Sequence, residues 1–152
     1  MRFEVAAIGR AQLQSFPDWQ LRRHALAAGY DEGLEEIDGL GLPHRPRPVD
    51  GVHAWHLYPV RVGHGLRDQV RAELAAREIS TSVHFIPVHH LRWFQQTCVM
   101  PHGGLSGADR LFDQLLSLPL YPRLTYDQVD ATCEAVADVF RTARRGVSCP
   151  SH

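Results

Sequence analysis

The chain has 152 residues, a formal net charge of −1 with its ten histidines neutral, and a hydrophobic share of 44%. That length fits one domain with its own core, and the balanced charge argues against a nucleic-acid partner, which would select a basic stripe. The N-terminus lacks the unbroken apolar stretch of a signal peptide and no apolar run could span a bilayer, so the expectation is a soluble, cytoplasmic protein without a membrane partner.

In chain order, residues 1–34 read as a helical lead-in of two helices or one kinked helix. Pro17 sits where a first-turn proline would, and Trp19, Leu26, Tyr30 and Leu34 form an apolar stripe beyond it. Gly33 and the run "DGLGLPHRPRPVDG" then close the helix in a loop. "HAWHLYPVRV" (53–62) reads as a strand, with Pro59 marking an edge or a bulge. A helix follows, with Leu66, Val70 and Leu74 at i+4 steps and Glu73 placed to pair with Arg77. "STSVHFI" (80–86) reads as a second strand, which makes 53–86 a β-α-β unit.

Two helices over 106–145 close the fold. Ser106 and Asp109 are expected to cap the first, which runs through "RLFDQLLSL". Thr125 and Gln128 form a capping box for the second, whose stripe is Val129, Cys133, Val136 and Phe140. "SLPLYPRLT" between them is a short extended piece. The expectation is an α+β domain over 1–145, a small sheet with helices packed mainly on one face, followed by a disordered tail over 146–152. Cys98, Cys133 and Cys149 form no CxxC pair and fit buried or incidental thiols in a reducing compartment.

The chemistry-bearing stretch is "TSVHFIPVHH" (81–90). His84, His89 and His90 could ligate a metal, joined by His53, His56 or His102, but their spacing matches no helical or strand repeat and no acidic residue lies between them. Ser80, Ser82, Ser106 and Ser117 lack a G-x-S-x-G elbow. Partly buried, hydrogen-bonded rings are expected for His24, His44, His53, His64 and His102. A strand that ends in His84 and Phe85, with Pro87 fixing the turn before His89, suits a ligand-facing loop. All the basic side chains are arginine; without lysine, no side chain can form a Schiff base.

"AAIGRAQL" (6–13), "RRHALAAGYDEGL" (22–34), "HAWHLYPVRV" (53–62), "REISTSVHFIPVH" (77–89) and "LLSLPLYPRLTYDQVDATCEAV" (115–136) follow one another in a familiar order. Together they resemble the C-terminal region of the DegT/DnrJ/StrS family of pyridoxal-phosphate-dependent aminotransferases acting on keto groups of nucleotide-linked sugars. The resemblance implies the small C-terminal domain of an aspartate-aminotransferase-type (fold type I) enzyme. The lysine-bearing cofactor domain would precede residue 1.

It also implies that His84 edges a sugar-nucleotide pocket with Phe85 as its wall, while Pro87 and His89 match the turn that follows. The family's arginine after this turn is displaced here to Arg92, beside Trp93 and Phe94. No catalytic, cofactor-binding or metal residue is assigned. The chain is expected to hold no cofactor alone, and pyridoxal phosphate only when assembled with a lysine-bearing large domain on a companion chain. It is therefore expected to be a split or truncated half, inactive by itself; homodimerisation also follows from the family pattern. The alternatives are an interaction or dimerisation module and a His-rich metal-binding protein.

Overall fold

Residues Arg2–Leu34 form one helix, α1, with Pro17 inside it rather than at a first turn. A proline there has no N–H to give the carbonyl of Leu13, yet helix continues on both sides because the flanking residues are mostly good helix formers. The structure, a computed structural model, describes residues 2–44 and 52–147. After α1 come β1 (Leu40–Gly41), β2 (Tyr58–Val62), α2 (Arg67–Ala76), a 3-10 turn (Val88–His90), α3 (Arg92–Thr97), α4 (Ser106–Gln114), β3 (Leu115–Leu118) and α5 (Tyr126–Val147). The fold is the expected α+β arrangement. Helix α5 extends through residues 146 and 147, beyond the tail boundary expected from the sequence; 148–152 lie outside the described residues.

The sheet has the order β1-β2-β3, and both pairings are antiparallel. Tyr58, Val60 and Val62 alternate inward along β2, while Arg61 faces out. The strand starts at Tyr58 rather than at His53; Trp55 sits in the left-handed region at φ 44, which strand geometry excludes. Pro59 lies opposite Ser117. The N–H and C=O of Ser117 both bond to Ser82 instead, at 2.8 and 3.1 Å. Pro59 therefore occupies a non-hydrogen-bonded position of the β2–β3 ladder, where a missing N–H removes no bond between those strands.

The expected strand over 80–86 reduces to the single antiparallel bridge Ser82↔Ser117. Since β2 and Ser82 each run antiparallel to β3, they run parallel to each other with β3 inserted between them. The β-α-β crossover is thus present in direction but split, and its central neighbour comes from residues expected to end a helix. "LLSL" leaves α4 at Leu115 because Leu116 and Leu118 can bury one face of a strand. Pro119 also disfavours helical backbone at Leu118.

Helices α1, α2 and α5 enclose the buried face of the sheet. Leu26, Tyr30 and Leu34 of α1, Val70 and Leu74 of α2, and Val129, Val136 and Phe140 of α5 join Tyr58, Val60, Val62 and Leu116 in one core. Tyr30 and Tyr58 stack with centroids 4.8 Å apart. Tyr58 Oη donates to Asp31 Oδ1 at 2.5 Å, and Tyr30 Oη donates to the Pro119 carbonyl at 2.9 Å, so each buried hydroxyl is satisfied. Burial pushes the Tyr30 phenol up from its ordinary value.

Two expected helix signals are present in detail. Gln128 N–H donates to Thr125 Oγ1 at 3.2 Å while Thr125 N–H donates to Gln128 Oε1 at 3.0 Å, the reciprocal capping box at the start of α5. Arg77 pairs with Glu73 at 2.8 Å and also reaches Asp138 of α5 at 2.7 Å, tying α2 to α5. The expected Ser106–Asp109 cap does not form; the N-cap of α4 is Leu105, without a side-chain bond, and Asp109 is turned to other partners. Gly63 donates its N–H to the Gly39 carbonyl at 2.8 Å, and a Cβ at Gly63 would lie 2.6 Å from that oxygen. That close approach fixes how β1 meets the end of β2.

Candidate functional site

The stretch from Ser82 to Cys98 runs from the sheet edge across to α4. Its first anchor is His84, whose Nδ1 hydrogen-bonds the Ser117 hydroxyl at 3.0 Å. Ser117 is buried in β3, so the sheet itself orients the imidazole. The Nε2 of His84 has no partner among the described residues, leaving a donor or acceptor on a half-buried ring. Phe85 packs edge-on against that ring with centroids 4.9 Å apart and is 79% exposed. The two side chains thus pair a polar atom with an apolar surface, a combination suited to a substrate carrying both hydroxyls and an apolar ring face.

Pro87, with φ −53, precedes the 3-10 turn Val88–His90 and sets its direction. The next two imidazoles point away from His84's partner and toward α4. His89 Nε2 lies 2.7 Å and His90 Nε2 2.8 Å from the same oxygen, Asp109 Oδ1. An ionised carboxylate only accepts, so both imidazole nitrogens present N–H to it. The hydrogen bond from His89, then that from His90, holds the Asp109 carboxyl below the usual carboxylate range, against a smaller opposing effect of desolvation. His90 also meets Phe112 edge-on at 6.1 Å.

The structure therefore divides the histidine triplet. His84 belongs to the sheet edge through Ser117, while His89 and His90 belong to α4 through Asp109. Neither Ser117 nor Asp109 was singled out as a site partner from the sequence. Each is about twenty or more residues downstream of the histidine it binds, and Asp109 imitates a helix-capping residue. Arg92 and Trp93 lie on α3; Trp93 is 63% exposed and packs edge-on against Phe94 at 5.0 Å.

Of the histidines expected to be partly buried and hydrogen-bonded, His24 is both, its Nδ1 accepting from Trp55 Nε1 at 3.1 Å. His53 Nδ1 accepts from the Trp55 N–H at 3.0 Å, but the residue is exposed. His44, His64 and His102 are exposed as well. Cys133 is buried in the core, where desolvation first and Asp130 second push its thiol up to about 12; Cys98 is exposed. No described helix is long and apolar enough to cross a membrane.

The arrangement is that of the smaller α+β portion of fold type I aminotransferases. The profile of the DegT/DnrJ/EryC1/StrS aminotransferase family matches residues 1–137, and the chain belongs to that family. It is 37% identical over 143 residues to the spore coat polysaccharide biosynthesis protein SpsC of Bacillus subtilis, covering 91% of this chain and 36% of that protein. It is 38% identical over 134 residues to a dTDP-3-amino-3,4,6-trideoxy-alpha-D-glucose transaminase of Streptomyces venezuelae, covering 88% and 34% respectively. The crystal structure of S. venezuelae DesV superposes with a TM-score of 0.80 at 37% identity, over 89% of this chain and 35% of that one. The chain thus spans about a third of the length of the relatives it matches.

The coenzyme implied by the family resemblance does not fit these residues. Its covalent attachment needs a side-chain primary amine, and the sequence contains no lysine. The histidines and arginines present cannot substitute, since neither offers a primary amine on a flexible stem.

Proposed function

We propose that these residues form the small-domain part of an aminotransferase acting on nucleotide-linked keto sugars, with no transaminase activity of their own. The observation that carries this reading is the coincidence of family membership over residues 1–137 with a sequence lacking lysine. Activity then requires a lysine-bearing large domain outside these residues, which alone would hold pyridoxal phosphate. The coenzyme supplies the electron sink for amine transfer; the residues described here bind and position substrate.

In the assembled site, His84 presents Nε2 to a substrate hydroxyl or phosphate while the Ser117 hydroxyl fixes its ring. Phe85 supplies the apolar wall. Pro87 sets the turn, and His89 pins that turn to α4 through Asp109. The exposed apolar residues of the first half of α1, among them Phe3 at 91% and Leu13 at 71%, support an assembly role because they have no place in the chain's own core. That same surface also fits homodimerisation. The free thiols Cys98 and Cys133 suit a cytoplasmic setting.

The test mixes the purified chain with a lysine-bearing large-domain chain of this family, pyridoxal phosphate, an amino donor and a keto-sugar nucleotide. Amine transfer is expected only in the mixture, with His84→Ala raising KM more than it lowers kcat. Transamination by this chain alone would overturn the reading, as would the absence of any complex with large-domain partners.

A further inference from the structure

At the α4 end of the turn that follows the proposed substrate edge, and sharing His89 with it, one cluster collects three donor atoms of the types that bind transition metals. The ligating atoms of His89, His90 and Asp109 all lie within 4.8 Å of one another. A tetrahedral zinc with bonds of about 2.0–2.1 Å spaces its ligands about 3.3 Å apart, so the three need only small side-chain shifts to surround an ion. We infer that His89, His90 and Asp109 form a site for a divalent transition-metal ion of zinc's class.

Three features favour that chemistry over a plain hydrogen-bonded turn. Two imidazoles and one carboxylate are a borderline donor set that suits zinc, cobalt or nickel better than magnesium or calcium, which prefer all-oxygen shells. Both imidazoles already aim Nε2 at one carboxylate oxygen, so the protein has fixed their rings toward a common point. Finally, the surroundings are graded. The His89 side chain is only 12% exposed, whereas His90 and Asp109 are 42% and 41% exposed, leaving a solvent side where water can complete the coordination. When the ion enters, the proton that each neutral imidazole presents from Nε2 to Asp109 is exchanged through solvent for one on Nδ1, which frees the Nε2 lone pair, and the carboxylate stays ionised. No net proton is lost from a neutral ring, while a protonated ring must release one; binding therefore weakens as pH falls through the histidine range.

The placement has a consequence for the fold. The two histidines sit on the 3-10 turn and the carboxylate on the first turn of α4. An ion there would replace two hydrogen bonds that share one acceptor by three metal bonds and clamp the 83–105 segment to α4.

The experiment uses the full chain, stripped with chelator and dialysed, titrated with zinc chloride by calorimetry at pH 7.5 and pH 5.5. Cobalt(II) absorption provides a second readout of nitrogen and oxygen coordination. One equivalent of zinc is expected, with affinity falling about tenfold or more at the lower pH and by a similar factor or more in His90→Ala and Asp109→Asn. His56→Ala and His102→Ala are expected to leave the affinity within about twofold, since neither is in the cluster. Circular dichroism checks folding of each variant, and Asp109→Asn retains an oxygen acceptor if His90→Ala proves unstable. Absence of stoichiometric zinc in the unaltered chain, or unchanged affinity in both cluster variants, would overturn the site. Because no coenzyme or sugar enters this measurement, its failure leaves the aminotransferase reading untouched, and the reverse also holds.

Discussion

The sheet with its enclosing helices and the segment from residue 83 to 105 solve the same problem by different means. In the first, Tyr30, Tyr58, Val60, Leu74 and Leu116 are completely buried and hold one another by packing. In the second, no residue is buried, although it carries Phe85, Ile86, Val88, Leu91, Trp93 and Val99. Beyond Val83, which packs against the core at its start, what ties that segment to the body is a set of imidazoles: His84 on Ser117, and His89 with His90 on Asp109. Polar ties of this kind fix direction at little gain in stability. They suit a surface whose apolar side chains remain available to something else.

That contrast can be broken most directly in the core. Leu74→Ala, at a fully buried position, should cost about 2–5 kcal/mol, whereas Trp93→Ala in the exposed segment should stay within about 0.5 kcal/mol. Urea denaturation of the two variants measures both, and equal losses would erase the distinction. Tyr58→Phe comes next. Removing the hydroxyl leaves Asp31 without its 2.5 Å donor and should cost about 1–3 kcal/mol by the same measurement. Thr125→Ala removes half of the capping box at the start of α5 and should cost about 1 kcal/mol. Retention of full stability would show that Gln128 alone caps the helix.

The smallest effect is local and depends on pH. Asp109 and Asp138 both have carboxyls held below the usual range in the folded chain. The causes are His89 and then His90 for Asp109, and Arg77 and then Arg141 for Asp138. A carboxyl whose folded value is depressed contributes stability above its unfolded value, near about 3.9, and loses that contribution as pH falls through the folded value. Hydrogen exchange on acidification below about pH 4 should therefore rise first over 88–98, where the tie to Asp109 has only the edge contact of His90 with Phe112 beside it. In Asp109→Asn the segment should exchange faster at neutral pH with the global unfolding free energy nearly unchanged. A coincident loss of protection in α5 would show that the two regions open together.

How much of this was readable beforehand follows the same division. The stripes of α2 and α5, the Thr125–Gln128 box and the Glu73–Arg77 pair are written within one or two helical turns, so local spacing reveals them. Strand β3 was hidden because "LLSL" continues a helix-forming run without a break before Pro119. Only the free slot beside β2 makes it a strand. The two-residue β1 and the continuity of α1 through Pro17 likewise depend on neighbours more than on composition. At the site, the turn at Pro87 and the neighbouring placement of His84 and Phe85 were legible from local sequence. Ser117 and Asp109 were not, because their partnership with the histidines is created by the insertion of β3 and the position of α4.

The insertion of β3 also sets an order of events during synthesis. Until Leu118 has left the ribosome, Tyr58–Val62 has only the two residues of β1 for company, and Ser82 has nothing to bridge. The nascent polypeptide must therefore carry an unfinished sheet from the emergence of Val62 to that of Leu118, with helix α5 closing it only after that late strand arrives.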